Sequence, residues 1–208
     1  MKKLMLYFII LVSVTSLSAE NVKALMILPD NYGANFYCYL ELCRNLGWDI
    51  TTASVNQVVT PCPSYAAPLG CGNITVDSLI CEISDVTIYD CIMIHSSTSF
   101  SGNPYYEFLN DVDTMLLLGL ADAADIVIWT SCAGVRLLGV AGIAQGVSMQ
   151  CPAGYQNELT AAGANIVGEK IPPVIDGNII TTMRGQFYTQ QNVYAILTAL
   201  KNLQEVEE

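Results

Sequence analysis

The stretch Asp125-Ile126-Val127-Ile128-Trp129-Thr130-Ser131-Cys132-Ala133-Gly134 decides the fold. Asp125 to Ser131 is a short, nearly continuous apolar run. It reads as a strand buried on both faces, the pattern of a parallel sheet covered by helices. Cys, Ala and Gly come next, and a helix is expected at once, over Val135 to Ala144. A nucleophile elbow has this layout. Its side chain stands on a sharp turn, the residues after it must be small, and the first N–H groups of the helix are directed at it. The positive end of that helix also favours thiolate over thiol. The same residues equally suit a buried structural cysteine at a tight turn, since cysteine is often fully buried. Spacing alone leaves both readings open.

Working outward, strands and helices alternate. Val22 to Leu28 and Tyr89 to Ile94 are buried strands, and Asp49 to Val55, rich in Thr, Ile and Val, is another. A helix over Asn35 to Leu46 is closed by Gly47. Asn103-Pro104 opens a helix through Leu118, and a last helix runs from Gln190 to Leu203. Pro61 to Gly72 is irregular. Short strands are expected at Ile74 to Val76, Gly146 to Met149, Asn165 to Glu169 and Asn178 to Thr182, with a helical or turn segment around Asp77 to Ile83. The pattern predicts an α/β protein with a mostly parallel sheet.

The chain has 208 residues, and the first nineteen read as a secretory signal. Lys2 and Lys3 precede the apolar run Leu4 to Val14, and Ser16-Leu17-Ser18-Ala19 supplies small residues before a cleavage point. The run is short for a membrane span, which needs about 20 apolar residues. Residues 20–208 then form one domain in an exported protein, in the periplasm, the cell exterior or a secretory lumen. Without Lys2 and Lys3, six basic residues stand against 19 acidic ones, a formal charge of −13. Such a surface repels phosphate backbones and anionic lipids, so neither nucleic acid nor a membrane is an expected partner after cleavage.

Three segments occur in order: Tyr89-Asp90-Cys91-Ile92-Met93-Ile94, Ser131-Cys132-Ala133-Gly134, and Val174-Ile175-Asp176-Gly177-Asn178-Ile179-Ile180-Thr181-Thr182-Met183-Arg184-Gly185. Together they resemble the ThiJ/PfpI superfamily, over about residues 22 to 203. The resemblance implies a flavodoxin-like three-layer α/β/α sandwich, usually dimeric. It also implies a reactive elbow cysteine, here Cys132, serving hydrolase or lyase chemistry of the glyoxalase or deglycase kind, or oxidation sensing.

Departures from the pattern limit what carries over. The family's first-helix Glu falls on Asn35. The His that directly follows the cysteine in hydrolytic members is Ala133, and the His-Pro pair of other members is Cys151-Pro152. The glycine pair after the Tyr-Asp strand reads Ser96-Ser97. A thiol nucleophile needs a nearby base or a pKa close to ambient pH. His95, the one histidine, ends a strand expected beside that of Cys132 and is the candidate base. The backbone N–H groups of Ala133 and Ser97 are candidate oxyanion donors. Asn35, Tyr32 and Ser96 are expected around the pocket, and Cys151 close enough to bridge Cys132 under oxidation. A small electrophile or oxidant is the expected substrate. The alternative is a non-catalytic binding module that kept the fold after losing its acid and base.

All eight cysteines follow the signal. Cys62 and Cys71 bracket the irregular loop, and a bridge between them would stabilise by roughly 2 to 3 kcal/mol. Cys38 and Cys43 lie on different faces of their helix and should not pair. No Cys/His spacing suggests a metal. The turn after the first strand, Pro29-Asp30-Asn31-Tyr32-Gly33, lacks dinucleotide spacing, so no cofactor is expected. Asn73-Ile74-Thr75 is a glycosylation sequon, of consequence only in a eukaryotic source.

Overall fold

The computed structural model of the protein describes residues 21–64, 66–97, 105–168, 173–183, 185 and 188–207. The expected signal over residues 1–19 lies outside these residues, as does the Asn103-Pro104 helix start. In chain order the elements are β1 (Lys23–Ile27), α1 (Asn35–Asn45), β2 (Asp49–Ser54), β3 (Val58–Val59), β4 (Ile74–Thr75), β5 (Ser78–Leu79) and β6 (Cys91–Ile94). There follow α2 (Tyr106–Leu109), α3 (Val112–Ala123), β7 (Val127–Ser131), α4 (Val135–Val140), β8 (Ser148–Met149), α5 (Gln156–Ala161), β9 (Asn165–Ile166), β10 (Val174–Asp176), β11 (Ile179–Thr182) and α6 (Thr189–Glu207).

Seven strands form the central sheet in the order β10-β11-β7-β6-β1-β2-β5. All neighbours are parallel except the β10–β11 hairpin. From β1 the chain winds outward through β2 and β5, then returns to β6 on the other side of β1. The strand order therefore reverses between β1 and β6, and an open α/β sheet binds ligands beyond the strand ends at that point.

The strands separate two apolar layers by simple alternation. Leu25, Ile27, Ile92, Ile94 and Ile128 face α2 to α5, whereas Ala24, Met26, Met93, Val127 and Trp129 face α1 and α6. Each buried aliphatic side chain of this kind is worth about 1.5–3 kcal/mol. Two layers of helices on one sheet make the expected α/β/α sandwich. Gly47, with φ +80°, follows α1 as expected, its N–H donating to Arg44 O at 3.0 Å. Cys43 is buried and Cys38 exposed on opposite sides of that helix.

Some elements differ from the expectation. The helix expected through Leu118 is broken at Asn110–Asp111. Asp111 caps α3 instead, its carboxylate accepting from Thr114 N (2.8 Å) and Thr114 Oγ1 (2.6 Å). The helix after the Cys132 turn stops at Val140 rather than Ala144, just before Gly142, whose φ is +77°. Val174–Asp176 turns about Gly177 (φ +59°) into β11, and α5 occupies a stretch for which no element is expected from the sequence.

Candidate functional site

The carboxyl ends of β1, β6 and β7 share one edge of the sheet. At that edge Ser131 is still extended, but Cys132 flips to φ +54° and a single 3-10 turn, Cys132–Gly134, leads into α4. A left-handed conformation costs a side-chain-bearing residue about 1–2 kcal/mol. Cys132 is partly exposed on this turn. The turn requires glycine at 134: a Cβ there would overlap Thr130 Oγ1 and sit 3.1 Å from the Tyr105 hydroxyl.

Tyr105, absent from the sequence expectations, organises the neighbouring loop. It is itself left-handed (φ +65°) and buried. Its hydroxyl donates to His95 O at 2.6 Å and accepts from Ser97 N at 3.1 Å. Burial raises its pKa, so it stays protonated. The Ser97 N–H is thereby consumed, which corrects its assignment as an oxyanion donor. Tyr105→Phe would leave that buried N–H without its acceptor, at a cost of about 1–3 kcal/mol. A matching drop in unfolding free energy by urea titration, with faster amide exchange at Ser97, is the expected result. An unchanged Ser97 exchange rate would refute the assignment.

His95 also departs from expectation. It ends β6 at the same edge as Cys132 but on the opposite face, because Ile94 faces α2 to α5 and the next residue must face α1 and α6. Its ring is 1% exposed and meets Phe36 (5.3 Å between centroids), Tyr39 (5.2 Å) and Trp129 (5.6 Å) edge-on. Neither ring nitrogen has a hydrogen-bond partner among the described residues. Burial pushes its pKa down to about 3. A base must reach the proton it removes and hold it near neutral pH. This imidazole is instead a piece of aromatic core.

Of the remaining expected residues, Asn35 and Ser96 are brought together, Asn35 Nδ2 lying 3.5 Å from Ser96 Oγ at the start of α1. Tyr32 is not at a pocket mouth. It is fully buried, its hydroxyl donating to Gly72 O at 2.5 Å beside the Tyr37 hydroxyl. That contact pins the 62–72 loop. At the two ends of that loop Cys62 is buried and Cys71 partly exposed. Ala66 ties the two backbones together, its N–H donating to Cys62 O (2.9 Å) and its carbonyl accepting from Cys71 N (3.2 Å). Asn73 is exposed.

Cys151 is drawn to the Cys132 side of the sheet. The preceding Gln150 accepts from Met183 N (3.1 Å) through Oε1, and its own N–H donates to Thr181 Oγ1 (2.9 Å). Thr181 pairs in register with Thr130 of β7. Cys151 lies in the same core layer as Ala133 and Tyr105, its thiol donating to Pro152 O at 3.2 Å. Burial raises that thiol to about 12, with smaller contributions from Glu158 and from Cys132 itself.

No group of three His, Cys, Asp or Glu side chains among the described residues is arranged to hold a metal. No helix of the described residues is long and apolar enough to cross a membrane. An open groove of about 290 Å³ between α1 and α6, lined by Cys38, Glu41, Leu42, Asn45, Thr189 and Gln190, lies on the helical surface and not at the strand ends.

The architecture is a flavodoxin-like α/β/α sandwich bearing a cysteine on a left-handed strand-to-helix turn. It is the fold of the ThiJ/PfpI and DJ-1 proteins, as solved structures show. A ThiJ/PfpI domain protein from Brachyspira murdochii superposes with a TM-score of 0.69 at 18% identity, covering 88% of this chain and 96% of that one. Oxidized Toxoplasma gondii DJ-1 gives 0.67 at 17% identity, over 89% and 95%. A two-domain protein with DJ-1/ThiJ/PfpI-like and ferritin-like domains from Anabaena variabilis gives 0.69 at 14% identity. The match spans 88% of this chain but only 48% of that protein. No family model matches the sequence, and no curated protein does.

Proposed function

We propose that this chain is a divergent ThiJ/PfpI-type protein in which Cys132 captures small electrophiles or oxidants. The observation that carries the reading is the left-handed backbone at Cys132. A strained conformation of this kind persists only where surrounding structure enforces it, and such residues cluster at functional sites. Here the enforcement comes from Gly134, Thr130 and Tyr105 beneath the turn. With Asn35, Ala133 and Cys151 at the family's acid and base places, single-turnover capture suits the site better than hydrolysis, which needs an acid for the leaving group. The proposal includes export and a homodimer.

A second reading, a binding module without catalysis, draws on the packing of His95 in the aromatic core and the use of Ser97 N–H by Tyr105. Alkylation separates the two. Cys38 and Cys81 are exposed thiols and serve as internal references. Near pH 7, iodoacetamide is expected to label Cys132 about tenfold faster than either, the advantage of a thiolate-biased site. Labelling of Cys132 no faster than Cys38 and Cys81 would overturn the capture reading and leave the module.

A further inference from the structure

Cys132 stands on the strained turn after β7. The hydrogen bonds from Gln150 N to Thr181 Oγ1 and from Met183 N to Gln150 Oε1 fasten the segment before Cys151 to β11, the strand beside β7. Cys151 thus enters the apolar layer that also holds Ala133 and Tyr105. Gln150, directly before Cys151, is thereby tied to Thr181, the register partner of Thr130, which lies two residues before Cys132. Cys151 is fully buried, as a thiol reserved for a partner inside the protein would be, and an external reagent meets Cys132 first.

From this placement we infer that Cys151 is the resolving thiol of Cys132, closing an intramolecular disulfide after a hydroperoxide has oxidised Cys132. The inference rests on the capture reading of Cys132. In the first step the Cys132 thiolate attacks the outer oxygen of the hydroperoxide. An S–O bond forms, the O–O bond breaks, and the alkoxide or hydroxide leaves with a proton as alcohol or water. Cys132 becomes the sulfenic acid. In the second step the Cys151 sulfur attacks the Cys132 sulfur. The S–S bond forms, the S–O bond breaks, and hydroxide takes the Cys151 proton and leaves as water. One hydroperoxide has accepted two electrons, one from each sulfur. The high pKa of Cys151, about 12, makes this second step slow at neutral pH and faster as pH rises.

The consequence is protection. A sulfenic acid met by a second thiol becomes a reducible disulfide, whereas an unmet one proceeds irreversibly to the sulfinic acid. The test treats the full chain with limiting hydrogen peroxide, unfolds it in denaturant with iodoacetamide present so that every remaining thiol is blocked, and maps peptides without reductant. The expected product is a Cys132–Cys151 linked peptide pair that has lost two hydrogens and separates on reduction. In Cys151→Ser and Cys151→Ala the pair should vanish, and Cys132 should be trapped by dimedone or recovered as sulfinic acid. Wild-type protein in which Cys132 is oxidised while Cys151 stays alkylatable would overturn the resolving role and leave the capture reading intact. A Cys132 inert to both peroxide and iodoacetamide would remove both.

Discussion

Acidification from near pH 7.5 to pH 5 is expected to remove about 2 kcal/mol of stability through His95 alone. In the folded chain its pKa is about 3, because burial among Phe36, Tyr39 and Trp129 penalises the imidazolium and none of these rings carries a compensating charge. In the unfolded chain the ordinary value of about 6.5 applies. Above 6.5 both states hold His95 neutral and the residue gives no pH dependence. Below 6.5 the unfolded chain binds a proton that the folded chain refuses, so stability falls by about 1.4 kcal/mol per pH unit. The fall ends only near pH 3, where the folded state protonates too. Carboxylates titrate over part of this range, so the comparison is with His95→Leu, which keeps an apolar side chain and cannot charge. Urea unfolding at both pH values should show the wild type losing about 2 kcal/mol more than the variant over this interval. Parallel losses would mean that His95 is hydrated or hydrogen-bonded in solution, and would reopen its candidacy as a base.

The misplacement of His95 shows what a sequence carries and what reading it can miss. The edge was legible: an apolar strand followed directly by His95, parallel to the strand ending in Ser131, puts both residues at the carboxyl side. The face was legible too, since Ile92 and Ile94 alternate with Cys91 and Met93, and period two sends His95 to the layer of Met93. The strand-to-helix turn at Cys132 was found from local composition, because a small-residue pair after a thiol has a local steric cause. The fate of the Ser97 N–H was not available in that way. Its acceptor is Tyr105, eight residues on and held left-handed, and nothing in Asn103-Pro104-Tyr105-Tyr106 marks one tyrosine as structural. Tyr32 was similarly opaque, since its burial depends on the Gly72 carbonyl of a loop without periodicity. The Asp176-Gly177-Asn178 hairpin does carry a turn signal in the sequence, a Gly between two short turn-forming side chains.

Gly134→Ala is expected to destabilise the protein by about 1–3 kcal/mol, the usual cost of forcing a methyl into a filled site. It should also slow Cys132 alkylation. At φ −62° the backbone of Gly134 tolerates any residue, so conformational freedom is not the reason for glycine here. The reason is space. The added Cβ would overlap Thr130 Oγ1 and press on the Tyr105 hydroxyl at 3.1 Å. Thr130, the penultimate residue of β7, is β-branched and fully buried, so its hydroxyl has few rotamers to which it can retreat. Tyr105 is anchored to His95 O and Ser97 N and does not yield cheaply. The remaining route is for the Cys132–Gly134 turn to lift away from the sheet, which relaxes the left-handed backbone at Cys132. Loss of stability and loss of thiol reactivity therefore share one cause, and relieving the overlap should restore both. In Thr130→Ala/Gly134→Ala the hydroxyl that blocks the methyl is gone. A double-mutant cycle should show the pair recovering more than about 0.5 kcal/mol over the sum of the single changes, with alkylation of Cys132 rising alongside. Additive stabilities, or recovered stability without recovered reactivity, would separate the packing beneath the turn from the behaviour of the sulfur above it.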